Sequence, residues 1–113
     1  MSEADKQWGA RLKQAREAAG LSQKQLGIQA GIDEFVASAR INRYELGVHQ
    51  PDYLTAQKLA QVMGLSVAFL YAPEDEIATL LFRYCRATEP QQAAVRNLLD
   101  DLPGPPTLPS FAR

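Results

Sequence analysis

The chain has 113 residues, 46% of them apolar, which suits one domain with a modest core. One Cys and one His exclude an internal disulfide and a Cys/His metal cluster, and no apolar run nears the ~20 residues of a membrane helix. The net charge of −1 divides unevenly. Residues 6–50 hold seven Lys or Arg against four Asp or Glu, and residues 51–113 hold five against seven, so a +3 stretch precedes a −2 rear half, and Glu3 and Asp5 ahead of both complete the total. That bias is small enough to arise by chance, but its sense suits a front half that meets a polyanion. No signal peptide opens the chain and Cys85 has no partner, so a reducing cytoplasm is expected, with no cofactor.

Every element reads as helix, so the expected fold class is all-α. The first helix covers about Lys6 to Ala19, with Trp8, Leu12, Ala15 and Ala19 on one face, and Gly20 ends it. Ser22 caps a second helix over Gln23–Ala30, which Gly31 ends. A third helix ends near Gly47 and the loop VHQPD follows. Asp52 caps a fourth, with Tyr53, Ala56, Leu59, Ala60 and Met63 inward. Gly64-Leu65-Ser66 repeats the device of Gly20-Leu21-Ser22 (stop, buried Leu, cap) before a short fifth helix, Val67–Tyr71.

Pro73 marks the expected boundary between a domain at 6–72 and an extension at 73–102. The extension has two amphipathic helices. One runs from Glu74 to about Arg86 with Ile77, Leu80, Leu81 and Tyr84 on one side. The other opens on Thr88-Glu89-Pro90-Gln91, a Thr cap with Pro in the first turn and Gln at the capping-box position. It runs to about Asp101 with Val95, Leu98, Leu99 and Leu102 apolar. The tail at 103–113, PGPPTLPSFAR, is too rich in Pro for regular structure, though Leu108 and Phe111 can dock.

The second and third helices carry a steric pattern. Counted from Gln23, the fourth position is apolar (Leu26), the fifth is small (Gly27), the eighth is Ala30, the ninth admits positive φ (Gly31) and the tenth is apolar (Ile32). Those are the fixed positions of two helices packed across a tight turn. Ile41 and Tyr44 fit the next two core positions, four residues late.

With these residues in view, the chain resembles the Xre-type, Cro/CI phage-repressor-like helix-turn-helix family. RLKQAREAAGLSQKQLGIQAGI and INRYELGVHQPDYLTAQKLAQVMGLSVAFL follow its five-helix pattern over roughly residues 8–71, and the departure is a four-residue insertion between Gly31 and Ile41. A helix running unbroken from Asp33 would turn Glu34 inward and Phe35 and Val36 outward. The preferred expectation is a helix that begins after Ser38 as N-cap. The insertion then forms an enlarged turn capped by Asp33, with Phe35 and Val36 folded onto the core.

The resemblance implies roles. Ser38, Ala39 and Arg43 correspond to base-reading positions, Arg43 through a bidentate bond to guanine and Ala39 through a thymine methyl. Ser22 and Gln23 at the start of the second helix, Arg40 and Asn42 on the third, and the loop residues Val48 and His49 are the expected phosphate contacts. Arg16 and Glu45 correspond to an ion pair that locks the recognition helix to the first helix. The bland alternative for the two arginines is solvated surface charge, and Trp8, Tyr53, Phe69 and Cys85 read as core.

The expected function is sequence-specific binding of double-stranded DNA by a transcriptional regulator. It would be a repressor that meets a palindromic operator as a homodimer, in the nucleoid-bearing cytoplasm, with no membrane partner. The extension would dimerise through Leu80, Leu81, Leu98 and Leu99, unless its helices fold back on their own chain. The alternative is an antitoxin that also holds a protein toxin. No Ser/His/Asp set, metal spacing or phosphate loop favours an enzyme.

Overall fold

The local signals become helices where capping side chains meet inward-facing stripes. The computed structural model describes residues 2–104 and 108–109. Its helices are α1 (Glu3–Ala18), α2 (Gln23–Gln29), α3 (Ala37–Leu46), α4 (Tyr53–Val62), a 3-10 helix (Val67–Tyr71), α5 (Asp75–Arg86) and α6 (Glu89–Asp100). Among the described residues there is no strand, and no helix is long and apolar enough to cross a membrane.

α1 starts three residues before the expected Lys6, because Ser2 and Asp5 form a capping box. Ser2 Oγ accepts the Asp5 N–H at 3.0 Å and Asp5 Oδ2 accepts the Ser2 N–H at 3.3 Å. Ser22 and Thr88 make the same reciprocal box with Gln25 and Gln91. Asp52 Oδ1 accepts the Thr55 N–H at 2.8 Å, and the Thr55 side chain together with this backbone bond holds the Asp52 carboxyl below its ordinary range.

The core draws one fully buried aliphatic from each of five elements: Leu12, Leu26, Ile41, Leu59 and Leu70. Each contributes about 1.5–3 kcal/mol by leaving water. Trp8 meets Tyr44 and Tyr71 edge-on, with ring centroids 6.4 and 6.1 Å apart. Phe69 is buried as expected, but Tyr53 is exposed. Tyr53 is the first residue of α4, a turn ahead of the inward set Ala56, Leu59 and Ala60, so it falls beyond the edge of the core.

The two helices after Pro73 behave differently. α5 packs onto the core: Ala78 is 2% exposed, Phe82 tilts against Phe69 at 5.9 Å, and Leu81 and Cys85 are half-buried beside them. The inward face of α5 is therefore 78/81/82/85, and only Leu81 belongs to the stripe expected from sequence. Ile77 and Leu80 are exposed. α6 buries no residue. Polar bonds tie it down: Gln92 Nε2 donates to Tyr84 O at 2.8 Å and Arg96 donates to the Tyr84 hydroxyl at 2.6 Å. With α6 projecting, the radius of gyration is 16.1 Å, against ~13 Å for a compact chain of this length. Leu108 is exposed, and Phe111 lies outside the described residues.

Candidate nucleic-acid interface

The interface begins with the crossing of α2 and α3. A Cβ on Gly27 would lie 2.7 Å from the Ala37 Cβ, so only glycine permits this approach. Gly31 then takes a φ of 91° and the Ile32 N–H returns to Gly27 O at 2.9 Å, which reverses the chain.

The insertion is an enlarged turn, but two parts of the expectation need correction. α3 begins at Ala37 rather than after Ser38, and Ser38 caps nothing; the N-cap position is Val36, which has no side-chain acceptor. The cause is packing. Ala37, Ile41 and Tyr44 share one buried face, and Ala37 must already be helical to sit on Gly27. Phe35 and Val36 do not fold onto the core: Phe35 is 89% exposed and Val36 41%. Ala37 is the residue that packs against Gly27, and the turn before it keeps Phe35 and Val36 at the surface. Asp33 does cap the turn, its Oδ1 accepting the Phe35 N–H at 2.8 Å.

The rest of α3 follows from the same buried face. Ser38, Ala39, Arg40, Asn42 and Arg43 are all exposed. At 100° per residue Ala39 and Arg43 fall opposite Ile41, with Asn42 beside them. Arg40 lies on one flank and Ser38 on the other.

What holds this face in place is a polar cluster at the junction of α1, α2 and α3. Arg16 Nε bonds Glu45 Oε2 at 2.5 Å and Arg16 Nη2 bonds Glu45 Oε1 at 3.1 Å, while Nη1 donates to Leu21 O. The two side chains are 13% and 4% exposed. The bond to Glu45 raises the Arg16 pKa above its ordinary value. Gln23 Nε2 donates to Glu45 Oε1 at 3.0 Å and to Asn42 Oδ1 at 3.2 Å. Two residues expected at phosphates thus hold each other across the helix pair.

The loop after α3 departs further. Gly47, at φ 77°, lets the chain fold back so that the Val48 N–H donates to Arg43 O at 3.0 Å and the His49 N–H to the same oxygen at 3.4 Å. Those groups complete the C-cap of α3 rather than standing free for a phosphate. Both side chains remain exposed, and Gln50 ties the loop to Asp5 of α1.

Two residues on α1 that lie outside the helix-turn-helix pattern also shape its junctions. A Cβ on Gly9 would lie 2.3 Å from Glu45 O and 2.6 Å from Tyr44 O, so this glycine sets the approach of α1 to α3. Arg11 is buried beside Leu12 and donates to Ala72 O, Pro73 O and Asp75 Oδ1, which joins α1 to the start of α5. Its signal was available: a charge at an inward position of the Trp8–Leu12–Ala15 stripe.

The helix-turn-helix family profile matches residues 12–70, more than half of the chain and all of α2, α3 and the loop after them. The chain belongs to the helix-turn-helix family, in its Xre/Cro-CI-like form. Within that family, the crystal structure of the transcriptional regulator BswR superposes with a TM-score of 0.77 at 45% identity, over 83% of this chain and 93% of that one. No curated protein sequence matches. Family, fold and this neighbour together make the chain a DNA-binding transcriptional regulator.

Proposed function

We propose that this helix-turn-helix protein is a repressor that reads a palindromic operator as a homodimer, on the nucleoid in the cytoplasm. The observation that carries the reading is the outer face of α3. It is exposed, polar and basic, and a largely buried, two-bond ion pair ties it to α1. A helix seated in the major groove needs both properties. Arg43 and Ala39, opposite the core, are the base readers together with Ser38. Arg40 and Ser22 meet the DNA backbone, with the exposed loop at Val48 and His49 beside them. Gln23 and Asn42 stand at the same edge, and a phosphate there competes with Glu45 for the Gln23 amide. Repression needs only that the bound protein obstruct the promoter.

Arg43→Ala is expected to relax preference at one base pair by about 1–3 kcal/mol. Gln23→Ala should instead weaken all sequences alike. Competition binding with single-base operator variants separates the two, and an unchanged preference profile in Arg43→Ala would refute the base-reader role.

Dimerisation is inferred from α6. A 12-residue helix with no buried side chain is marginal alone in water. This one exposes Leu98 and Leu99, with exposed Leu102 just past its end, and Leu80 of α5 is exposed as well. A second copy covering this surface across a two-fold axis would present two α3 helices to half-sites about 34–36 Å apart. Because these leucines are exposed in the protomer, Leu98→Glu/Leu99→Glu should leave its fold intact. Sedimentation should then change from dimer to monomer and operator affinity should collapse. A wild-type monomer at micromolar concentration, or a double variant that still dimerises, would refute the interface.

The same apolar surface also supports a second reading, an antitoxin whose α6 region holds a toxin protein. Purification from the native host discriminates, since a small protein encoded beside this one would then accompany it.

A further inference from the structure

The inserted turn, Asp33–Val36, has no part in the function described so far. It immediately precedes the end of α3 that carries Ser38 and Ala39. Phe35 is the most exposed large hydrophobic side chain of the described residues, and Val36 beside it is also exposed. The turn is not a loose one. The Phe35 N–H is held by Asp33 Oδ1 at 2.8 Å and the Val36 N–H by Asp33 O at 3.1 Å, and the next residue, Ala37, is locked against Gly27. An apolar ring is thus held in water on a fixed support.

Where that support stands follows from the motif. The N-terminal residues of the second helix meet base edges in the major groove, so a turn directly before them stands at the groove as well. Its chemistry limits what it can bind. Asp33 and Glu34 repel phosphate, so the turn is no backbone clamp. Phe35 and Val36 offer side chains without a hydrogen-bonding group, and the apolar feature of the major groove is the thymine C5-methyl.

We propose that Phe35 is a specificity residue that packs on a thymine methyl at the outer edge of each half-site, beyond the base pairs met by Ala39 and Arg43. The inference rests on the seating of α3 proposed above. It assigns the four-residue insertion a purpose: one more base pair is read without lengthening the recognition helix.

The test uses the full-length protein and the tightest duplex it selects from a random pool. Thymines of that duplex are replaced one at a time by deoxyuracil, which removes only the methyl. In the wild type, one such replacement at the edge of each half-site should weaken binding about fourfold, the value of one buried methyl. Phe35→Ala should bind the unmodified duplex more weakly by at least that factor and be indifferent to that uracil. Its melting temperature should match the wild type, since the ring packs on nothing. Phe35→Leu should retain part of the uracil sensitivity. Uracil sensitivity that persists in full in Phe35→Ala overturns the assignment. If Arg43→Ala changes base preference while no thymine depends on Phe35, this inference alone fails. A chain that selects no sequence at all takes down the seating of α3 and the role of Phe35 together.

Discussion

Arg16→Ala is expected to destabilise the protein by about 3 kcal/mol, toward the lower end of the ~3–5 kcal/mol for breaking a buried pair. The partner left behind sets the size. The Glu45 side chain is 4% exposed and would keep only the Gln23 amide as a donor. Arg16 itself retains some contact with solvent, which argues for the low end of the range. At about 4–8 °C per kcal/mol for a domain of this size, the melting temperature should fall by more than ~10 °C. DNA binding should fall further than the folded fraction predicts, because Glu45 belongs to α3 and its anchor is gone. The double variant Arg16→Met/Glu45→Leu should recover much of the stability, since an apolar pair leaves no buried charge unpaired. Thermal melts of the two variants beside the wild type decide it; a single variant that melts with the wild type would mean the pair contributes nothing.

Gly9→Ala should produce the other large effect, against the ordinary expectation for a helix. In an exposed helix interior that change stabilises by ~1 kcal/mol. Here the new methyl would meet Glu45 O and Tyr44 O, both backbone atoms that cannot rotate away. α3 must shift as a body, at a typical overpacking cost of ~1–3 kcal/mol. The shift acts on the register of Arg16 with Glu45 and on the tilt of the recognition face, so affinity for DNA should fall more than stability. Melting and DNA titration measured together check both halves, and a variant as stable as the wild type with full affinity would show that α1 and α3 are not in this close contact.

Much of the molecule is set by neighbours in the chain, and these features were legible from the residues. Ser22, Asp52, Ser66 and Thr88 cap helices because a side-chain oxygen can bond an N–H two or three residues on, whatever surrounds it. Gly31 and Gly47 take positive φ through the intrinsic freedom of glycine. Ile41 and Tyr44 share a face by helical geometry alone, and the steric order from Leu26 to Ile32 announces the helix pair and hence the family. Other features needed the third dimension. That Phe35 stays in water goes with Ala37 being the residue that packs against Gly27. That α5 turns Ala78, Phe82 and Cys85 inward while leaving Leu80 outside depends on where Phe69 and Ser66 lie. Gly9 is ordinary in the sequence and becomes critical only where the carbonyls of α3 cross it. Val48 and His49 lose their N–H groups to Arg43 O only because the chain folds back at Gly47. A local pattern states which face of a helix is apolar, whereas the space left beside that face is a property of the elements packed against it.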